Sequence, residues 1–540
     1  MLPPSLLRGG AKSFASPPIL LGLLAVAAIY AARSWKSSNV PDNVTAVPFL
    51  PSIPLLGNTL QFVANATRLQ DWIADRSRER DGRPFAVRLV GKSNLVYMAR
   101  PEHFEQVLKL QSSNFNKGFA IRDVYSDFMG ESILLVDGDR WKYHRRVLVN
   151  LFSARALRDF MTPIIQKNIR VLMSVLSSAS ETDKALDIHK LMNKFTLETF
   201  AEIGFGRKLG NLISPDDHPF EVAFDEAHYI CGSRLTTPVW LWKLKRWLNV
   251  GSERRLREAI VVINKFMLDT ISGMMDQHRS QREHQPLNKG VMSIILDTIK
   301  TSGQSITPSD IRDIVFAGMI AGRDTTADAL SWLMHVLHHN PRVVKKMREE
   351  ILTKLPKFGE SASYIPSMED VQGLPYLEAT IRELLRLHPV APTIGYHCVR
   401  DTVFPDGTYI PAGSGIMLSL YAAARLDRVW GPDAASFVPE RFLDTQSGDL
   451  ISMSPTQFAA FSAGPRVCVG RNLAMLELKL LASCLVARFR LIEVSGQNVT
   501  YSRGATIGMT NPLMMRIERI VAAESYLSSM PSLLHQNPVD

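Results

Sequence analysis

The chain has 540 residues, 46% of them hydrophobic and 21% charged, a balance that excludes a disordered or fibrous protein and supplies a large core. Lysine and arginine exceed aspartate and glutamate by 62 − 52 = 10. The excess is scattered and no nucleic-acid-binding motif accompanies it, so a nucleic-acid partner is set aside; an ordinary basic surface and a face for a membrane or acidic protein both stay open.

Between Lys12 and Arg33 no residue is charged, and the stretch closes on an apolar run from Ile19 to Ala32. About 20 apolar residues cross ~30 Å of hydrocarbon, so residues 1–36 read as a single N-terminal membrane anchor, although Pro17 and Pro18 shorten its uninterrupted part. A cleaved signal peptide needs a small-residue site after the run, and Ala31-Ala32-Arg33 is a poor one. A mitochondrial presequence is the competing reading: Arg8, Lys12 and Ser13 are present and no acid precedes Asp42. Such a segment is amphipathic, however, and this one is continuously apolar. Arg8 and Lys12 balance Arg33 and Lys36, so flanking charge does not orient the anchor.

Residues 37–58 form a hinge stiffened by Pro48, Pro51 and Pro54, whose rings fix φ. From 59 to 519 no linker or repeat interrupts the chain, which reads as one domain, mainly α with a minor β region; 520–540 reads as a loose tail. Strand signals cluster near Phe85–Met98 and Thr402–Leu420, the latter with a Pro405-Asp406-Gly407 turn. Asn43, Asn65 and Asn498 lie in glycosylation sequons that matter only in a lumen. Cys231, Cys398, Cys468 and Cys484 are far apart with no C-x-x-C pair, which argues against a disulfide scaffold or zinc cluster and suits a reducing compartment.

Four stretches carry chemistry. Trp141-Lys-Tyr-His-Arg145 sets an indole N–H and a guanidinium on one helix face at i, i+4. Thr307-Pro308-Ser309-Asp310 starts a helix that runs to His339 before Asn340-Pro341. In its middle, Ala321-Gly322-Arg323-Asp324-Thr325-Thr326 is locally unfavourable for a helix and asks for a compensating role. Glu383-Leu-Leu-Arg386 places acid and base on one face of a helix closed by Pro389, with Pro439-Glu440-Arg441-Phe442 further on. Last, Phe461-Ser-Ala-Gly464-Pro-Arg466-Val-Cys468-Val-Gly470 enters a predicted helix over 472–489. At that helix N-terminus the partial positive charge and loop N–H groups favour thiolate over thiol.

In this order the motifs resemble those of the cytochrome P-450 family, the haem-thiolate monooxygenases, over roughly residues 45–519. The resemblance implies that fold on a single anchor helix and a proline-rich hinge. It implies haem b with Cys468 as its sulfur ligand, Phe461 beside it, and Arg466, Trp141 and Arg145 as cofactor contacts. It implies that Gly322 opens room for O2, that Thr325 hydrogen-bonds the oxygen species, and that Asp324 relays protons. Glu383, Arg386 and Arg441 would form a buried, structural three-charge cluster bracing the cysteine loop. Where relatives often carry a basic residue after the E-x-x-R helix, this chain reads Pro392-Thr-Ile-Gly-Tyr396-His397-Cys398, and either Tyr396 or His397 could serve instead.

The implied reaction inserts one atom of O2 into a C–H bond of a lipophilic substrate. No dinucleotide or flavin module is present, so electrons would come from NADPH through a flavoprotein reductase. Phe115-Asn-Lys-Gly118, Gly130–Gly138, Arg323 and Phe404–Thr408 look like the branch that hydroxylates fatty acids and alkanes terminally. Sterol or secondary-metabolite hydroxylation is the alternative substrate reading. A hydroperoxide isomerase or dehydratase on the same fold is a different class, which Asp324-Thr325 counts against; a haem-free anchored binding protein is a third. The expected location is the endoplasmic reticulum membrane, single-pass, with the catalytic domain in the cytosol, or alternatively the mitochondrion.

Overall fold

The structure, a computed structural model, describes residues 43–280, 307–502 and 504–520. The expected anchor and the tail beyond 520 lie outside the described residues. Among the described residues no helix is long and apolar enough to cross a membrane.

The longer helices are α1 (Leu69–Arg78), α2 (Gly118–Met129), α3 (Gly138–Leu151), α4 (Thr162–Glu181), α5 (Ile188–Phe205), α6 (Pro219–Arg234), α7 (Val239–Leu248) and α8 (Gly251–Ser280), followed by α9 (Pro308–His339), α10 (Pro341–Lys354), α11 (Pro375–Leu387) and α12 (Arg471–Arg488). The strands are β1 (Thr45–Ala46), β2 (Phe85–Val87), β3 (Leu95–Met98), β4 (Phe115–Asn116), β5 (Leu186–Asp187), β6 (Thr393–Cys398), β7 (Thr402–Val403), β8 (Thr408–Ile410), β9 (Gly415–Ser419), β10 (Phe489–Glu493) and β11 (Met514–Arg519). The mainly helical architecture with some sheet is as expected.

Helix α9 is the axis of the molecule. Thr307 Oγ1 accepts from the Asp310 N–H at 3.2 Å while the Asp310 carboxylate accepts from the Thr307 N–H at 3.0 Å. This reciprocal cap satisfies two donors that the first turn leaves unpaired. Pro308 at the first position needs no hydrogen bond there. Ile314, Phe316, Met319, Leu330 and Leu333 of α9 are fully buried, and α5 forms its main packing partner. The C-terminal helix α12 packs on α9 from another side, buried from Leu476 through Val486.

A smaller core covers the five-stranded sheet, ordered β2-β3-β9-β6-β4. Its edge matters for the site. β4 pairs antiparallel with β6, Phe115 opposite Cys398 and Asn116 opposite His397, so Lys117 follows on opposite Tyr396. Gly118 comes next with φ +70, and a β-carbon there would sit 2.7 Å from His397 Cβ, so only glycine lets α2 leave the sheet edge at this point. The Pro405-Asp406-Gly407 turn joins β7 to β8, with Gly407 N–H donating to Phe404 O at 2.9 Å.

Candidate active site

Cys468 follows a short 3₁₀ turn, Gly464–Arg466, and its N–H donates to Phe461 O at 2.8 Å. Helix α12 begins three residues later. The surrounding fold desolvates the thiol, yet the side chain is uncovered. So is Ala321, midway along α9 and flanked by buried Ile320 and Arg323. One turn on, Thr325 is half-buried and its hydroxyl donates to Ala321 O. Cys468 in the loop and Ala321 on α9 are thus both uncovered, with Thr325 one turn further along α9.

The expected thiolate preference of Cys468 is corrected here. Burial pushes the thiol up, and the Gly470 N–H and the Arg145 cation do not outweigh it. A neighbouring metal cation is what would deprotonate it outright.

Cations gather around the cysteine loop. Arg145, from α3, donates to Val467 O. The Arg466 guanidinium lies 4.7 Å from the centre of the Trp141 ring, donates to Val136 O at 3.1 Å, and pairs with Asp137. The Lys117 ammonium lies 4.4 Å over the Tyr396 ring. Burial, and then the Arg466 charge, push Lys117 down to about 8. The Asp137 carboxylate is shared among Arg466 and the Lys117 backbone N–H, 3.2 Å from each of its oxygens. Of the two residues left open, Tyr396 joins this cluster as the platform beneath Lys117, and His397 pairs with Asn116. Lys117 itself was legible only as part of the Phe115–Gly118 string; its place here comes from strand register.

The Glu383, Arg386 and Arg441 side chains are brought together. Arg386 is a fork onto the Glu383 carboxylate at 2.6 and 2.8 Å, and Arg441 Nε donates to Glu383 at 3.3 Å. The remaining donors of Arg386 go to Ala424 O, to Ala434 O at 2.8 Å and to Ser436 O at 3.0 Å. A small cavity separates Arg386 and Trp430 from Gln457–Ala460, the segment that leads into the cysteine loop. Phe461 lies within that loop, 5.8 Å from the Arg471 guanidinium.

Asp324 does not point to bulk water. It is buried, 2.9 Å from Arg323 Nη1 and 2.9 Å from His228 Nδ1. Burial alone would raise its carboxyl, but Arg323 and His228 hold it below the usual carboxylate range. Arg323 in turn reaches Glu221 at 3.3 Å and the exposed Asp225 at 3.3 Å. His228 was missed by sequence reasoning, since a histidine inside α6 carries no signal of its own. At Gly322 a β-carbon would meet the Phe200 ring at 2.7 Å, so the glycine lets α5 pack close to α9.

The residues present suit a haem. Cys468 offers an uncovered sulfur donor, and Lys117, Arg145 and Arg466 outnumber Asp137 as partners for two propionates. A family model for cytochrome P450 matches residues 47–515. Among similar proteins, cytochrome P450 94B1 of Arabidopsis thaliana is 31% identical over 88% of this chain and 92% of its own length. Cytochrome P450 704C1 of Pinus taeda is 30% identical over 88% and 92%. Cytochrome P450 86B1 of Arabidopsis thaliana is 29% identical over 92% and 89%. The chain belongs to the cytochrome P450 family, the haem-thiolate monooxygenases, which use O2 and electrons from NADPH delivered through a reductase.

Proposed function

We propose that this monooxygenase hydroxylates fatty acids at or near the chain end, with Cys468 as the iron ligand. The observation that supports the site is the gathering of Arg145, Arg466 and Lys117 around the loop that carries Cys468. The substrate reading is supported by the strings at Phe115–Gly118, Gly130–Gly138, Arg323 and Phe404–Thr408. When bound, the haem supplies the oxygen-activating chemistry. Around it, Trp141, Arg145, Arg466 and Lys117 would hold the propionates, and Phe461 would pack beside the sulfur.

The protein's own part is proton handling and exclusion of water. Thr325 is half-buried on α9, and its hydroxyl, now donating to Ala321 O, can hand on a proton. Asp324, one residue before, is kept ionised by Arg323 and by His228, whose Nδ1 lies 2.9 Å away; an imidazole can take up and give a proton, which supports a relay to this carboxylate. Glu383, Arg386 and Arg441 would keep the loop's supporting segment in place without touching reactants.

Residues 1–36 would anchor the chain in the endoplasmic reticulum membrane, with 37–58 as hinge, 59–519 as catalytic domain in the cytosol, 520–540 as tail, and a flavoprotein reductase as redox partner. Helix α7 supports a membrane face. Trp240, Leu244 and Trp247 recur at i, i+4 and i+7 and are exposed, with Trp247 at 80%; tryptophan favours the membrane–water interface.

Purified protein should show the reduced, CO-bound absorption of a haem-thiolate, and C12–C18 fatty acids should shift its ferric spectrum at lower concentration than alkanes or sterols. An equal or stronger shift with sterols would replace the substrate reading. Loss of the haem-thiolate absorption would remove the site reading.

A further inference from the structure

Away from the cysteine loop, the last two turns of α9 carry His335 and His339 at i, i+4, beside Glu493 at the end of β10. His335 Nδ1 lies 2.9 Å from Glu493 Oε2 and His339 Nδ1 lies 3.8 Å from the same oxygen. One ligand atom from each residue falls within 4.8 Å of the other two. In a tetrahedral zinc site, donors about 2.1 Å from the metal sit roughly 3.4 Å apart; the observed separations bracket that value.

Three further observations favour a cation here. The site is at the carbonyl end of a 32-residue helix, where the helix dipole attracts positive charge. Among the described residues, Glu493 pairs with no lysine or arginine, only with these two histidines. Both partners are already placed: the Trp332 ring packs edge-on to His335 with centroids 5.7 Å apart. The Glu493 backbone N–H faces His338 Nδ1 at 3.5 Å.

We propose that His335, His339 and Glu493 bind a divalent transition metal of the zinc class, clamping the C-terminus of α9 to the β10–β11 sheet. Two imidazoles and one carboxylate leave a fourth position for water. His339 Nδ1 now donates to His335 O at 2.9 Å and would give up that bond for the metal. Its side chain is 55% exposed, so the ring is free to turn.

The test uses the haem-loaded full chain, stripped with EDTA and titrated with zinc chloride against a chromogenic chelator. One Zn2+ should bind per chain, His339→Gln should weaken it roughly tenfold or more, and the haem absorption should stay unchanged. Zinc should also slow amide exchange over 489–493 in the wild type and not in that variant. His339 is exposed, so its replacement leaves the fold intact. Failure of the wild type to bind, or equal binding by His335→Gln/His339→Gln, overturns the proposal.

Discussion

Gly464 lies directly beneath the backbone of Leu108: a β-carbon on it would fall 1.9 Å from the Leu108 carbonyl oxygen, and its φ is +66. Neither atom can yield, because Leu108 is buried in the sheet-side core. The cysteine loop therefore gets its shape from a contact with a segment more than three hundred residues earlier. Gly464→Ala is expected to displace the loop and cut haem retention to below roughly a tenth of wild type, since strain and clash act together. The reduced, CO-bound absorption per chain reads this. Wild-type retention would show that the loop tolerates the displacement.

Arg386→Ala should be among the most destabilising single changes. It leaves the fully buried Glu383 carboxylate with Arg441 and the Val438 N–H, at 3.3 and 2.7 Å, as its named partners. Removing one partner from a buried ion cluster costs about 3–5 kcal/mol. Urea unfolding of the two proteins measures it; a difference under about 1 kcal/mol would place the cluster with weak surface pairs.

Lys117 gives haem uptake a pH dependence. Its pKa is pushed down to about 8 without the propionates, and an added anion raises it. Binding then favours the protonated lysine. Affinity should hold below pH 8 and fall as the pH rises through and above that value. Haem titration of the apoprotein between pH 7 and 9.5 checks the slope. Lys117→Met should bind more weakly at pH 7 and lose the slope.

The His228–Asp324 pair predicts a stability window. Burial would lower His228, but hydrogen bonding and charge from Asp324 outweigh it and raise it. That contribution is full below the ordinary histidine value of 6.5 and is lost as the pH rises through the raised one. Asp324 is held low, so its share is present above 3.8 and is lost as the pH falls through its depressed value. The pair should therefore stabilise most between about 4 and 6.5. The stability difference between wild type and His228→Asn, followed by denaturation across pH 4–9, should shrink toward the alkaline end.

Gly322→Ala sets a β-carbon 2.7 Å from the Phe200 ring. Overpacking of this kind costs about 1–3 kcal/mol. Adding Phe200→Leu should recover most of it, a coupling that thermal unfolding of the single and double variants will show. No recovery would mean that the glycine is not there to accommodate α5.

What the sequence determined by itself was local and covalent in origin. The capping residues and periodicity of 308–339, the turn at Gly407 and the spacing from Trp141 to Cys468 marked elements and family, because helix caps, positive φ and motif order are properties of short segments. Register and packing decided the rest. Lys117 reaches Tyr396 because β4 pairs with β6, His228 meets Asp324 because side chains of α6 reach α9, and Gly322 faces Phe200 because α5 lies where it does. The thiol of Cys468 is raised because desolvation by the whole fold exceeds the pull of one helix end. Burial and cross-chain contact are sums over distant segments, and no local pattern encodes them.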